Sequence, residues 1–318
     1  MQVEWRLLRG AGMSEIYEAA VDELFSFVDW VRFASSRFTE AQLFFGHGTD
    51  NPWDDAVQLT LWALHTPFDR LGQVAHARLT RSERAHLASL IQRRINERLP
   101  VPYLTGEAFF AGLKFFVSRD VLIPRSPLGE LIENYFDPWL TQPPSRILDL
   151  CTGSGCIGIA CAFAFEEAEV VLSDICPQAL AVAQRNIEFH KLAERITCRE
   201  SDLFGGLAGE VFDLIVSNPP YVDALDMANL PAEYQVEPAL ALASGADGLN
   251  FTRRLLREAR QHLSDVGVLI VEVGNSWVAL EETFPEVSFT WLEFARGGGG
   301  VFLLTAAQLD DYAAVFAE

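Results

Sequence analysis

Residues 146–155 read Arg-Ile-Leu-Asp-Leu-Cys-Thr-Gly-Ser-Gly, and this stretch decides the fold. Residues 146–150 form a short apolar run bounded by turn formers, the pattern of a buried strand. The turn Asp149-Leu150-Cys151-Thr152-Gly153-Ser154-Gly155 closes it, and a helix is predicted over 156–165. Gly153 and Gly155 let a ligand approach the backbone closely, while the helix start offers N–H groups without partners. Gly153, Gly155 and Gly158 also satisfy G-x-G-x-x-G. The loop alone therefore leaves open a nicotinamide enzyme and a plain strand–helix turn.

Outward from this turn, strands and helices alternate. Strands are predicted over 169–175, 196–200, 212–217 and 267–273, with helices over 177–190, 251–263 and 275–283. Strands over 287–294 and 301–305, joined by a glycine-rich turn, end the chain. Such alternation predicts a mainly parallel sheet covered by helices, finished by an antiparallel hairpin. Ligands of these sheets bind at the carboxyl ends of the strands, near the topological switch point.

Each of the following strand ends carries a candidate. Asp174 can accept hydrogen bonds from ribose hydroxyls or simply cap the next helix; about twenty residues after the first loop, it favours adenosine. Ser201-Asp202-Leu203-Phe204 offers an acceptor for an adenine amino group and apolar surface for its ring. Ser217-Asn218-Pro219-Pro220-Tyr221 is more distinctive. Two prolines withhold two N–H groups, so the preceding carbonyls face a cavity without internal partners. The Asn218 side-chain oxygen and the Pro219 carbonyl would take both hydrogens of a planar –NH2 group, with the Tyr221 ring stacked on its plane. A rigid proline turn is the bland alternative.

The first hundred residues read as helical. Ile16, Ala20, Leu24, Phe27 and Val31 share one face of a helix beginning near Ser14, and a second helix is predicted from Thr39. A third has Asn51 as cap and Pro52 in its first position; a fourth opens with Thr80 and Glu83 in capping-box spacing. Residues 1–12 read as an arm, and His47 and His65 as structural. The resulting division is a helical substrate-recognition domain over 1–98, a β-hairpin or linker over 99–120, and a catalytic domain over 121–318.

Charge narrows the function. Residues 1–95 carry 10 basic and 12 acidic side chains, but residues 96–318 carry 14 basic and 32 acidic ones, a net of −18. Such a surface repels a phosphate backbone, so direct binding of duplex nucleic acid is not expected. Cys151, Cys156 and Cys161 recur every five residues, a spacing that fits neither a metal site nor a redox pair. With no apolar run of membrane length and no leader pattern, a soluble cytoplasmic protein is expected.

The order of these motifs resembles the class I methyltransferases, which implies an α/β, Rossmann-like seven-stranded sheet with a terminal antiparallel hairpin, here with a small N-terminal helical domain. Asn218-Pro219-Pro220-Tyr221 is similar to the amino-methyltransferase signature shared by adenine and glutamine methylases. Pro102-Tyr103-Leu104-Thr105-Gly106 and the block V-L-I-P-R-S-P-L-G-E over 121–130 resemble the protein-glutamine methyltransferases. Release-factor members of that family usually show P-R-x-[DE]-T-[DE]. The P-R-S-P-L-G-E form is instead similar to the branch acting on ribosomal protein uL3, as are Asp149-Leu150-Cys151, N-P-W-D-D-A over 51–56 and G-G-G-G-V-F over 297–302. Cys151 departs from the wider pattern, where many members carry a first glycine.

The resemblance implies methylation of a glutamine side-chain amide in uL3. S-adenosyl-L-methionine would be the donor, S-adenosyl-L-homocysteine the product, and no metal would be needed. Carried over by position, the cofactor group is Cys151, Thr152, Gly153, Ser154, Gly155, Asp174, Asp202, Leu203 and Asn218. The catalytic group is Asn218, Pro219, Pro220 and Tyr221, with Arg125, Ser126 and Glu130 either pocket neighbours or structural residues. The partner would be uL3 or an early large-subunit assembly intermediate. Competing readings are a release-factor methylase, a nucleic-acid adenine methylase and a cofactor-binding ribosome-assembly factor without turnover.

Overall fold

In the computed structural model, which describes residues 13–317, the chain divides into two units, Met1–Thr105 and Gly106–Glu318. The arm read over residues 1–12 lies outside the described residues. The first unit is helical: α1 (Met13–Glu23), α2 (Phe27–Glu40), α3 (Pro52–Ala63), α4 (Leu71–Val74), α5 (Arg81–Asn96) and α6 (Val101–Thr105). The caps at Asn51 and Thr80 form as the sequence predicts. Asn51 Oδ1 accepts from the Asp54 N–H at 2.9 Å, and Thr80 and Glu83 exchange both bonds of a capping box.

Two helical expectations fail for one reason. The predicted continuous face from Ile16 to Val31 is broken after Glu23, and Thr39 lies inside α2 rather than at a new start. Ser26 caps α2: its Oγ accepts from the Asp29 N–H at 3.3 Å, and Asp29 Oδ2 accepts from the Ser26 N–H at 2.9 Å. That local box satisfies N–H groups that a continuous helix would have used otherwise. The region 99–106, read as linker, contains helix α6.

Buried within this unit is an ion pair. Arg94 Nε donates to Asp55 Oδ2 at 2.9 Å, with both side chains almost wholly buried. Arg94 also reaches the Phe44 carbonyl, and the Thr49 hydroxyl donates to Asp55 Oδ1.

The second unit opens with the antiparallel hairpin of β1 (Glu107–Phe110) and β2 (Leu113–Phe116), then α7 (Leu128–Glu133). The main sheet follows: β3 (Arg146–Leu150), α8 (Cys156–Ala164), β4 (Glu169–Asp174), α9 (Pro177–His190), β5 (Ile196–Glu200) and β6 (Phe212–Ser217). After α10 (Ala224–Asn229) and α11 (Asn250–Glu258) come β7 (Leu263–Glu272), α12 (Trp277–Thr283), β8 (Thr290–Trp291), β9 (Val301–Thr305), α13 (Ala306–Asp311) and α14 (Ala313–Phe316). The seven strands run in the order β5-β4-β3-β6-β7-β9-β8. The pairs from β5 to β7 are parallel, while β9 is antiparallel to both its neighbours. This is the class I methyltransferase sheet, and its switch point lies at the carboxyl ends of β3 and β6.

Side chains of alternate residues separate into two cores. Ile147, Leu214, Val216, Val268 and Ile270 face one helical layer, and Leu148, Leu150, Ile215, Leu269 and Val271 the other. This is the period of two expected of strands buried on both faces. Two expected lengths are corrected. The helix over 251–263 ends at Glu258, and a 3-10 turn over 259–262 leads into a strand that begins at Leu263, opposite Phe212. The penultimate strand shrinks to Thr290–Trp291.

Asp55→Ala removes the carboxylate partner of a buried guanidinium, a loss worth about 3–5 kcal/mol. Urea denaturation followed by fluorescence of the buried Trp30 should show the midpoint fall; an unchanged midpoint would remove the pair from the determinants of stability.

Candidate functional site

β3 and β6 are adjacent and parallel, with Leu150 opposite Ser217. The Ser217 hydroxyl donates to the Leu150 carbonyl at 2.6 Å. The Asp149–Gly155 turn and the Asn218–Tyr221 segment therefore leave the sheet side by side. A cavity of about 250 Å³ lies above them.

Asp149 builds the first turn. It is fully buried, and its Oδ2 accepts from Thr152 Oγ1 at 2.5 Å and from the Gly158 N–H at 2.8 Å. A Cβ at residue 158 would sit 2.9 Å from Asp149 Cβ, so only glycine brings α8 this close. Burial pushes the Asp149 carboxyl up to about 7, against the opposing pull of the Thr152 and Gly158 hydrogen bonds. Cys151 takes φ 61°, the left-handed region in which a glycine costs least, so its backbone follows the route a glycine would take despite its side chain. Burial holds its thiol well above the ordinary range.

Of the residues predicted for the cofactor, Cys151, Thr152, Gly153, Ser154, Asp174, Asp202, Leu203 and Asn218 all line the cavity. Gly155 does not: it is the N-cap of α8, at φ 83°, and faces Leu172, Ile159 and Ala183. Asp174 already organises the wall, since its Oδ2 accepts from the Gly153 N–H and its Oδ1 from the Cys176 N–H, each at 2.9 Å. Each oxygen keeps a lone pair for a further donor. Asp202 accepts from Arg254 at 3.0 Å. Phe204, expected as apolar surface for an adenine ring, belongs to the core instead. It stacks on His262 at 4.3 Å and 5°, and the apolar wall is supplied by Ile175, Leu203, Leu240 and Phe251.

The Asn218 side chain is one of the places in this unit where polar satisfaction fails, with Asp149 Oδ1, Ser173 and Thr252. Its Oδ1 is buried and has no hydrogen-bond partner among the described residues. Pro220 lines the same cavity, whereas Pro219 and Tyr221 do not. The Tyr221 hydroxyl, given no part by sequence reasoning, donates to Glu272 Oε1 at 2.8 Å. Ser126 Oγ donates to the other oxygen of Glu272 at 2.6 Å. Next to it, Arg125 makes a two-pronged bond to the buried Glu237 at 2.7 and 2.6 Å. Arg125 and Ser126 line the cavity. Glu130 instead accepts from the Ala295 and Arg296 N–H groups, tying α7 to the turn before β9. Glu237 and Glu272 were missed. For Glu272, its position at the end of a predicted strand was the available signal; Glu237 gave none.

Residues 136–241 match the methyltransferase small domain family model. Over 93% of this chain and 95% of the relative, it is 46% identical to the ribosomal protein uL3 glutamine methyltransferase of Francisella tularensis subsp. tularensis (strain SCHU S4 / Schu 4). The chain belongs to that methyltransferase family. The protein of the same name from Bordetella pertussis (strain Tohama I / ATCC BAA-589 / NCTC 13251) is also 46% identical, over 91% of this chain and 97% of that one. Among solved structures, a ribosomal protein L11 methylase from Lactobacillus delbrueckii subsp. bulgaricus is similar at 20% identity and a TM-score of 0.39. It covers 55% of this chain and 77% of that one. The methyltransferase has no helix, among the described residues, long and apolar enough to cross a membrane.

The raised carboxyl of Asp149 makes stability depend on pH. Its folded value of about 7 lies above the roughly 3.9 of an unfolded aspartate. The stability it contributes is full below about pH 4 and is lost as pH rises to about 7. Asp149→Asn removes this titration. Thermal melts of both proteins between about pH 5.5 and 8.5 should show wild type losing ground to the variant up to about pH 7 and running parallel above it. A difference constant across the range would show that Asp149 does not titrate there.

Proposed function

We propose that this methyltransferase transfers a methyl group from S-adenosyl-L-methionine to the side-chain amide nitrogen of a glutamine in ribosomal protein uL3. The observation that carries the reading is the orphan Oδ1 of Asn218, a buried acceptor in the wall of the cavity. A buried acceptor without a donor costs roughly 1–3 kcal/mol, and a primary amide entering the cavity supplies the donor.

The residues fit the cofactor. Asp174 retains acceptor capacity for ribose hydroxyls, and Ile175, Leu203 and Phe251 present apolar surface suited to an adenine ring. Cys151 to Ser154 give the close backbone approach that the methionine moiety needs, under the N-terminus of α8. When bound, the cofactor supplies a methyl group carried on a sulfonium. The chain's part is to hold the acceptor. An amide nitrogen is a poor nucleophile because its lone pair is delocalised. Asn218 Oδ1 accepts a hydrogen bond from one amide N–H, which helps the nitrogen to pyramidalise and to aim its lone pair at the methyl group; Pro219, expected to hold the other hydrogen, is not part of the cavity wall.

The helical unit has no part in this chemistry and is assigned the choice of substrate, uL3 itself or an early large-subunit assembly intermediate in the cytoplasm. Support comes from its exposed aromatic side chains, Phe44, Trp53 and Phe68, the last 73% exposed. Trp53→Ala together with Phe68→Ala should raise KM for uL3 and leave cofactor affinity alone. An unaltered KM would move recognition elsewhere.

Asn218→Ala should slow methyl transfer by about 10²–10³-fold, the usual loss for one preorganised hydrogen-bonding group. Single-turnover transfer to uL3 from undermodified cells, with cofactor saturating and folding checked by melts, reads this directly. A folded variant with the wild-type rate sinks the amide-holding mechanism, and transfer to a release factor instead of uL3 would change the substrate.

A further inference from the structure

Tyr221 is held more completely than a residue that merely follows two prolines requires. Its hydroxyl donates to Glu272 at 2.8 Å, and its carbonyl accepts from Ser276 Oγ at 2.7 Å. Its ring lies against Gly274, where a Cβ would come within 2.5 Å of Tyr221 Cε2. Gly274 has φ 48°, and its N–H and that of Val273 both bond to the Gly300 carbonyl. Hydroxyl, ring and carbonyl are thus all fixed by residues 272–276. The reason lies in the sheet: Val271 stands opposite Ser217, so Glu272 follows on β7 as Asn218 follows on β6.

Glu272 itself is 4% exposed, a carboxylate in a place where charge is expensive unless it is well hydrogen-bonded. Its two oxygens receive one hydroxyl each, from Tyr221 and from Ser126, a residue of the cavity wall. A tyrosine ring that needed only an apolar seat would not call for a buried acid to receive its hydroxyl.

We infer that Glu272 is a positioning residue for methyl transfer: it fixes the Tyr221 side chain, and through it the Asn218–Tyr221 segment, while tying that segment to the Ser126 wall. Its action is through Tyr221 and Ser126, not through contact with the acceptor amide. This rests on the amide-methylating reading of the site. Glu272→Gln keeps the shape but can accept only through one oxygen, so one of the two hydroxyls loses its acceptor.

The experiment compares wild type, Glu272→Gln, Tyr221→Phe and the double variant in single-turnover transfer to uL3, with cofactor affinity measured by calorimetry. Glu272→Gln should lower the rate by about 10- to 100-fold, the scale of a small misplacement of reacting groups, with cofactor affinity unchanged. The double variant should fall no further than the slower single one. The inference is overturned by a wild-type rate in Glu272→Gln, by losses that multiply in the double variant, or by a matching loss of cofactor affinity. Should Glu272→Gln not fold, Ser126→Ala and Tyr221→Phe carry the test, and wild-type rates in both overturn it. A wild-type protein that methylates no glutamine rejects the functional reading and this inference with it; an active wild type with unaffected variants rejects the inference alone.

Discussion

The parallel register of β3 against β6, with Leu150 opposite Ser217, constrains the rest of the second unit. Because the chain leaves β3 for β4 on one side and returns to β6 on the other, the two strand ends open onto one crevice. The Cys151–Ser154 turn and Asn218 hang from those ends, with Asp174 at the end of the neighbouring β4. Shifting either strand by one residue would exchange the core faces of all its side chains, and two complete apolar cores resist that. The geometry of the site is in this sense secured by packing well below it.

Acidic side chains do much of the internal organisation. Asp149 shapes the first turn, Asp174 joins Gly153 to Cys176, Glu237 receives Arg125, and Glu272 receives Tyr221 and Ser126. Each accepts from two or more donors, which offsets part of the cost of burial; in Asp149 burial still outweighs them and raises the carboxyl. Part of the strongly negative composition is thus structural and does not face a partner at all. Repulsion of a phosphate backbone falls to the remaining, exposed acids.

The sheet and its order of loops were legible because apolar runs, glycines and prolines have short-range meaning. The strands over 196–200, 212–217 and 301–305 and the helix over 177–190 fall where the sequence places them. What failed was of two kinds. The break between α1 and α2 was written in Ser26 and Asp29, but a persuasive helical face hid the cap. Phe204 could not be assigned from its neighbours, because its partner His262 is far away in sequence and becomes adjacent only once the sheet forms. The same holds for Tyr221, whose hydroxyl finds its acceptor 51 residues later.

Three of the five cysteines, Cys151, Cys156 and Cys176, contribute to the wall of one cavity. Desolvation raises the thiols of the first two, of which Cys156 is buried, while Cys151 is half-buried like Cys176 at the start of α9. A label attached at Cys176 would stand in the same wall as Asp174 and Leu203.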